Sequence, residues 1–384
     1  MGSNKGSSSQ TSSFTTALGS LHLLSLRRYS DTAIDYLGGA ELYGESTTTP
    51  IQQLNATDRI RWRRGQLILA DEFGDLPGGG FGSEWFGGAA AYNLASAGVN
   101  ANPPAPPDLA GLLGSINYTG TGISNVSLGE LAKTLTPRSS ITAAGGYGFT
   151  DYSLISAGES LINNHGTAAQ ASYNYQMSRR NQIGFLYGFQ DLQFPEAGQG
   201  SVRTNLGEVL YSRQVSSRVD FSLGIGPEFA KLSNGVSGSS SQINASGYVS
   251  LNYRLRKGGV AFSCDRLVTN GSGLFAGANT DACQFSFTRP TRYWSTSFDA
   301  GYLKLSQIGQ VPAAVSSQNY QYGFVGVAVQ RQLGGHLGVF GSYQFSDQSR
   351  GNYICTLSGP CGFSGGVHSF SIGINLVAPP QLLR

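Results

Sequence analysis

The sequence is short of charge. Asp, Glu, Lys and Arg make up 12% of its 384 residues, about half the roughly 25% of a soluble domain. It also lacks any apolar run near the roughly 20 residues that a membrane-spanning helix requires, and its mean hydropathy is slightly negative at −0.14. A helical membrane protein is therefore excluded. The formal net charge is only +3, and no Lys/Arg run is interleaved with aromatics, so nucleic acid is not an expected partner. The opening MGSNKGSSSQTSS has no apolar h-region and does not read as a signal peptide. Residues 1–29 are expected to be a flexible periplasmic segment of a mature or truncated exported chain.

Chemistry-bearing motifs are equally sparse. The four cysteines show no CxxC spacing, and His22, His165, His336 and His368 are scattered, so no metal site or cofactor is expected. SxxK does not occur, and GxSxG occurs once, at 362–366, without the strand–turn–helix setting of a nucleophile elbow. His368 is the one residue that could serve a surface lipid-modifying enzyme, and without an acidic partner it reads better as a loop-edge histidine facing head groups. An enzyme is not expected.

What is present is glycine, with 54 residues, and aromatics at 11%, set in a hairpin rhythm. Tight turns occur at Trp62–Gly65, Thr136–Ser139, Ser178–Asn181, Val215–Arg218, Arg256–Gly259, Arg289–Arg292 and Gly334-Gly335. Between them lie longer Gly/Ser/Asn-rich connections near 75–121, 153–166, 195–201, 233–240, 269–279, 307–318 and 350–364. Short turns on one side and long loops on the other are the asymmetry of bacterial outer-membrane barrels. The runs between alternate with period 2: Val219, Phe221, Leu223, Ile225 and Phe229 oppose Asp220, Ser222, Gly224, Gly226 and Glu228. Runs of roughly 12–15 residues exceed the usual strand mode of about 5–6 and suffice to cross a bilayer when tilted. Aromatics gather near the tight turns (Trp62, Tyr175, Tyr211, Tyr253, Phe287, Tyr293, Trp294), and a second set (Tyr152, Phe194, Phe229, Phe345) lies toward the long connections, which predicts two belts.

The expected fold is all-β: a transmembrane, antiparallel, up-and-down β-barrel over residues 30–378, followed by a tail at 379–384. Sixteen strands are expected, with 14 to 18 as the range because residues 16–28 offer a further one. An even count would leave both termini on the short-turn side. The segment 75–121, rich in Gly and Pro, folds either into the lumen or above it. Cys264 and Cys283 flank the 269–279 loop and suit a cross-strand disulfide, while Cys355 and Cys361 bracket a loop tip that a disulfide could close. Both placements fit an oxidising compartment.

Asp220, Glu228, Asn244, Ser246, Asn252, Arg254 and Asn375 are the expected lumen-facing residues. Arg59, Arg61 and Arg63 share one strand face, and basic residues at the other tight turns favour head-group contact for them over a pore role.

The segments IRWRRGQLILADEFGDLPGGGFG (60–82) and LTPRSSITAAGGYGFTDY (135–152) resemble those of uncharacterised outer-membrane β-barrel proteins, a porin-like type common in acidobacterial genomes. The resemblance implies location and fold and brings no activity or catalytic residues. The leading expectation is therefore an outer-membrane channel for passive diffusion of small hydrophilic solutes, in contact with lipid and lipopolysaccharide and capable of forming a homo-oligomer. The competing expectations are a barrel-anchored adhesion protein using its long loops, and the pore module of an export system.

Overall fold

The computed structural model describes residues 14–43, 47–77, 121–152, 162–195, 200–234, 238–269, 271, 275–308, 319–333, 337–350, 354–355, 359–360 and 364–376. All regular structure in them is β. The strands are β1 (Phe14–Leu26), β2 (Ser30–Tyr43), β3 (Thr47–Trp62), β4 (Gly65–Pro77), β5 (Thr121–Thr136), β6 (Ser139–Tyr152), β7 (Asn164–Gln176), β8 (Asn181–Phe194), β9 (Gly200–Ser216) and β10 (Val219–Asn234). They continue with β11 (Gly238–Arg254), β12 (Gly259–Thr269), β13 (Ala278–Pro290), β14 (Trp294–Gln307), β15 (Asn319–Gln332), β16 (Leu337–Arg350), the two-residue β17 (Ile354–Cys355) and β18 (Gly359–Pro360), and β19 (Ser364–Leu376). Apart from the small β17–β18 ladder, each strand pairs antiparallel with the next, and β16 passes to β19, giving one 17-stranded up-and-down meander.

Four of the tight turns share a local device. Thr136 Oγ1 accepts from the Arg138 amide at 3.2 Å, Ser178 Oγ from Asn181 at 3.1 Å, Ser216 Oγ from Arg218 at 3.2 Å and Thr291 Oγ1 from Trp294 at 3.1 Å. A hydroxyl at the first turn position thus mimics a backbone acceptor and reverses the chain within two residues. At the β11–β12 turn Gly258 adopts φ +106°, a left-handed conformation that side chains resist.

Burial inverts the pattern of a soluble protein. Ile372 is 93% exposed, Phe370 75%, Ile243 71% and Ile225 62%, whereas Glu208, Glu228 and Ser246 are at 1% or less. The polar face is concave, because side chains of strands two apart meet on it: Ser246 on β11 donates to Glu208 on β9 at 2.9 Å, across β10. Gly226 makes that reach feasible, since a Cβ there would overlap the Gly207 carbonyl. An apolar convex face around a polar concave one is the arrangement of a transmembrane barrel, and no helix among the described residues is long and apolar enough to cross a membrane.

Three differences from the sequence reading have physical causes. First, β1 occupies part of the segment expected to be flexible before residue 30 and takes up the option at 16–28. Leucines stand on both of its faces (Leu21 and Leu23, Leu24 and Leu26), which hides its period. Second, 17 strands joined by 16 antiparallel pairings make β1 and β19 run in the same direction, so Phe14 lies at the long-connection end. No register joins β1 to β19 among the described residues. Third, Tyr152 and Phe194 are buried at 8% and 3% on the concave face, so they do not join Phe229 in an outer belt. The belt beside the tight turns does face outward: Trp62, Tyr175, Tyr253, Tyr293 and Trp294 are all exposed, and Arg331 covers the Trp294 ring at 4.9 Å.

Candidate permeation path

The concave face is the place to look for a path, and its residues follow from strand parity. Asp220, Glu228, Asn244, Ser246, Asn252 and Arg254 all lie in its rows by register, Glu228 opposite Asn244 and Asp220 opposite Asn252. Arg254 Nη2 donates to Asp220 Oδ2 at 2.9 Å near the short-turn end. Asn375 falls in the matching row of β19, opposite Gly338, and its side chain lies outside the described residues. Arg59 and Arg61 join the concave face of β3, where Arg61 pairs with Asp31, while Arg63 sits in the turn.

The path narrows where the sequence reading expected an outward loop. The β11–β12 ladder ends at Gly247 opposite Arg266, while β12 continues to pair with β13 as far as Thr269 opposite Ala278. Above Arg266 the hairpin leaves the wall and turns inward. The Val268 amide, freed from β11, donates to both oxygens of Glu228 at 3.1 and 3.2 Å, and Asn244 Nδ2 reaches Asn279 Oδ1 at 2.9 Å. A Cβ on Gly277 would press on Val202 of β9. On the other side Phe275, 1% exposed, packs with Leu305 and Tyr320 of β14 and β15. One short segment therefore touches β9 and β15, six strands apart, and spans the concavity as a chord. Nothing in local sequence announces this, since the Gly-rich stretch reads as a loop whether it points out or in.

The Cys264–Cys283 disulfide forms on the convex face, joining β12 to β13 two residues below the departure point. It fixes the hairpin's base just where β11 ceases to support it. The Arg266–Asp281 pair, 3.5 Å apart, lies beside it. Cys361, the interior of the connection 75–121 (residues 78–120) and the tail 379–384 lie outside the described residues. His368 stands on the convex face of β19, with Tyr343 Oη 2.9 Å from its Nδ1 and the Phe345 ring tilted against it, centroids 4.8 Å apart.

The residues that sequence reasoning missed are the concave-face carboxylates of β2 to β5 and the aromatics of β15. Asp31, Asp35, Glu72 and Glu130 share the concave face with Arg59 and Arg61, the two arginines that the sequence had suggested for head-group contact. His22 Nδ1 contacts Asp35, and Gln53 donates to Glu72 at 3.2 Å. On β15 the rows Tyr320, Tyr322, Phe324 and Val325, Val327, Val329 are both apolar, so alternation could not say which faces inward; pairing with Leu305, Leu303 and Gly301 does.

No family model matches the sequence, and no curated protein matches it. Among solved structures the chain is similar to OccK2 (OpdF) of Pseudomonas aeruginosa in complex with glucuronate, at 11% identity and TM-score 0.43, covering 96% of this chain and 95% of that one. It is also similar to the FrpB iron transporter of Neisseria meningitidis, at 8% identity and TM-score 0.43, with 87% and 60% covered. A third is BauA, the ferric preacinetobactin receptor of Acinetobacter baumannii, at 10% identity and TM-score 0.40, with 94% and 71% covered. The chain thus spans about three fifths of the length of FrpB.

Proposed function

We propose that the barrel forms a water-filled channel in a Gram-negative outer membrane, through which small hydrophilic solutes diffuse passively. The observation that carries this reading is the inversion of polarity, with Ile372 93% exposed outside and Glu208 0% exposed inside. A sheet of this strand number leaves an aqueous interior, and among the described residues the in-folded end of β12–β13 reaches into it. Carboxylates exceed cations among the described concave-face side chains. Asp31, Asp35, Glu72, Glu130, Glu208, Asp220, Glu228, Asp265 and Asp299 stand against Arg59, Arg61 and Arg254, which favours small cations over anions.

The test is reconstitution of the purified chain into planar bilayers. Stepwise ohmic conductance with weak cation preference is the expected result, and trimming the 271–277 segment raises the conductance. Absence of any conductance, together with no swelling of proteoliposomes in sugar solutions, would sink the channel reading and favour an anchoring role.

A further inference from the structure

The concave face is not uniform, and one part of it is built unlike a plain aqueous wall. On β15, Tyr322 and Phe324 point into the path with ring centroids 5.9 Å apart. Phe340 of β16 does the same nearer the short-turn end, opposite Gln330. Each phenylalanine has a glycine directly across the ladder, Phe324 opposite Gly301 and Phe340 opposite Gly373. A Cβ at either glycine would overlap the ring. The rings therefore lie flat over neighbouring strands instead of standing into the lumen, and they present faces, not edges. Tyr322 is tethered along the wall in the same way, its hydroxyl held by Ser346 and Gln344. Directly above, Tyr320 is covered by Phe275 of the in-folded hairpin. The stripe thus starts under the in-folded hairpin and descends toward the short-turn end.

The surroundings specify the chemistry of a visitor. Among the described side chains on the concave face of β13 to β16 and β19, Asp299 is the one charged group, and Ser297, Gln330, Ser342, Gln344, Ser346 and Ser371 fill the spaces between rings. A charged solute finds little to pair with here. A wholly apolar one would strip water from the hydroxyls and amides without replacing their hydrogen bonds. A pyranose has one face of polarised C–H groups and a rim of hydroxyls. The C–H face suits the electron-rich face of an aromatic ring, and the rim suits Ser and Gln. Resting on the channel reading, we infer that this stripe is a binding track for neutral carbohydrates, with Tyr322 and Phe324 as stacking residues and Phe340 as a further station.

The full chain in planar bilayers, with maltohexaose as probe, tests this. The sugar should interrupt the current in a concentration-dependent manner, and polyethylene glycol of matching mass should not do so to the same extent. Phe324→Leu and Tyr322→Leu keep apolar bulk but remove the flat face, and each should weaken the block about 3- to 10-fold. Gly301→Leu leaves Phe324 in place but lifts its ring from the wall, and should weaken the block similarly. Heat-modifiable mobility of each variant checks folding. Conductance without sugar block, equal block by the polymer, or variants that block like the parent would overturn the track while leaving the channel reading intact. If no conductance is found, calorimetry of maltohexaose with the detergent-solubilised chain decides: heat that is lost in Phe324→Leu supports the track and removes only the channel, and no heat removes both.

Discussion

The concave faces of β2–β5 and of β13–β16 with β19 belong to one sheet, yet they differ in kind. Among its described side chains the first carries four carboxylates and two guanidinium groups, with Asp31 and Arg61 linked across strands. The second carries Asp299 alone among its described side chains and has flat aromatic rings where the other has charge. The convex faces differ as well. On β13–β16 and β19 the middle of the convex row is apolar, with Phe285, Phe287, Phe298, Val325, Val327, Phe370 and Ile372, and its charges (Asp281, Arg289, Lys304, Arg331 and Asp347) stand toward the strand ends. On β2–β5 it includes Asp58, which accepts from Ser30 and Thr32 at 3.0 and 2.9 Å, and Asp71, which accepts from Asn125 and Ser127 at 3.2 and 2.5 Å. Each of those carboxylates is satisfied by neighbours on its own face, which lowers the penalty of placing it beside lipid. Division of labour within one wall is the lesson: one arc sets the field of the path, and the other sets its contact surface.

The sharpest way to break the comparison is to test what the two faces of the neutral arc meet. Ile372→Arg places a charge on the convex face where burial in the sheet is least, and should cost about 2–4 kcal/mol if that face meets hydrocarbon near the midplane. Ser371→Arg, one residue away on the concave face, should change stability far less, because the guanidinium enters water. Urea titration of refolding into lipid vesicles measures both. Equal losses would mean that the two faces share one solvent and that the inside-out assignment is wrong.

Much of this architecture was legible beforehand, and the gaps have definite causes. Sixteen strands and six of the tight turns follow from period 2 and from turn chemistry, because both are local, and the seventh turn, Gly334-Gly335, lies outside the described residues. The Cys264–Cys283 pairing was legible from the spacing of two strands about one loop. By contrast, β1 was obscured by its two-sided leucines, and the inward face of β15 by apolar residues in both rows. The inward course of 267–269 and 275–278 is a tertiary event: it depends on Glu228 capturing the Val268 amide and on Phe275 finding Tyr320, partners 40 and 45 residues away in the chain. The charged arc was missed for a different reason. Its strands alternate poorly because polar residues such as Asp58 and Asp71 also occupy the convex row.

Removing charge should therefore act unequally on the two arcs. Glu72→Gln combined with Glu130→Gln takes two carboxylates from the charged arc and should move the reversal potential in a KCl gradient toward zero, reducing cation preference. Asp299→Asn on the neutral arc should move it in the same direction by a smaller amount. If Asp299→Asn has the larger effect, the field of the path is set opposite to where the charges are concentrated, and the division proposed between the arcs fails.

The smallest effect tests the sign of that field. Arg61 is half exposed and pairs with Asp31, itself 24% exposed. An ion pair this accessible to water contributes at most about 1 kcal/mol, so Arg61→Gln should leave the urea midpoint almost unchanged. Its effect on the path should be visible all the same. Losing Arg61 leaves Asp31 without its cation, the local field becomes more negative, and cation preference rises, opposite to the change from the Glu72 and Glu130 substitutions. Added salt should shrink the difference from the parent, because the Debye length falls from about 10 Å at 0.1 M to about 3 Å at 1 M. A reversal potential that does not respond to Arg61→Gln at low salt would place Arg61 outside the ion path and return it to the head-group role that the basic residues of the other tight turns suggest.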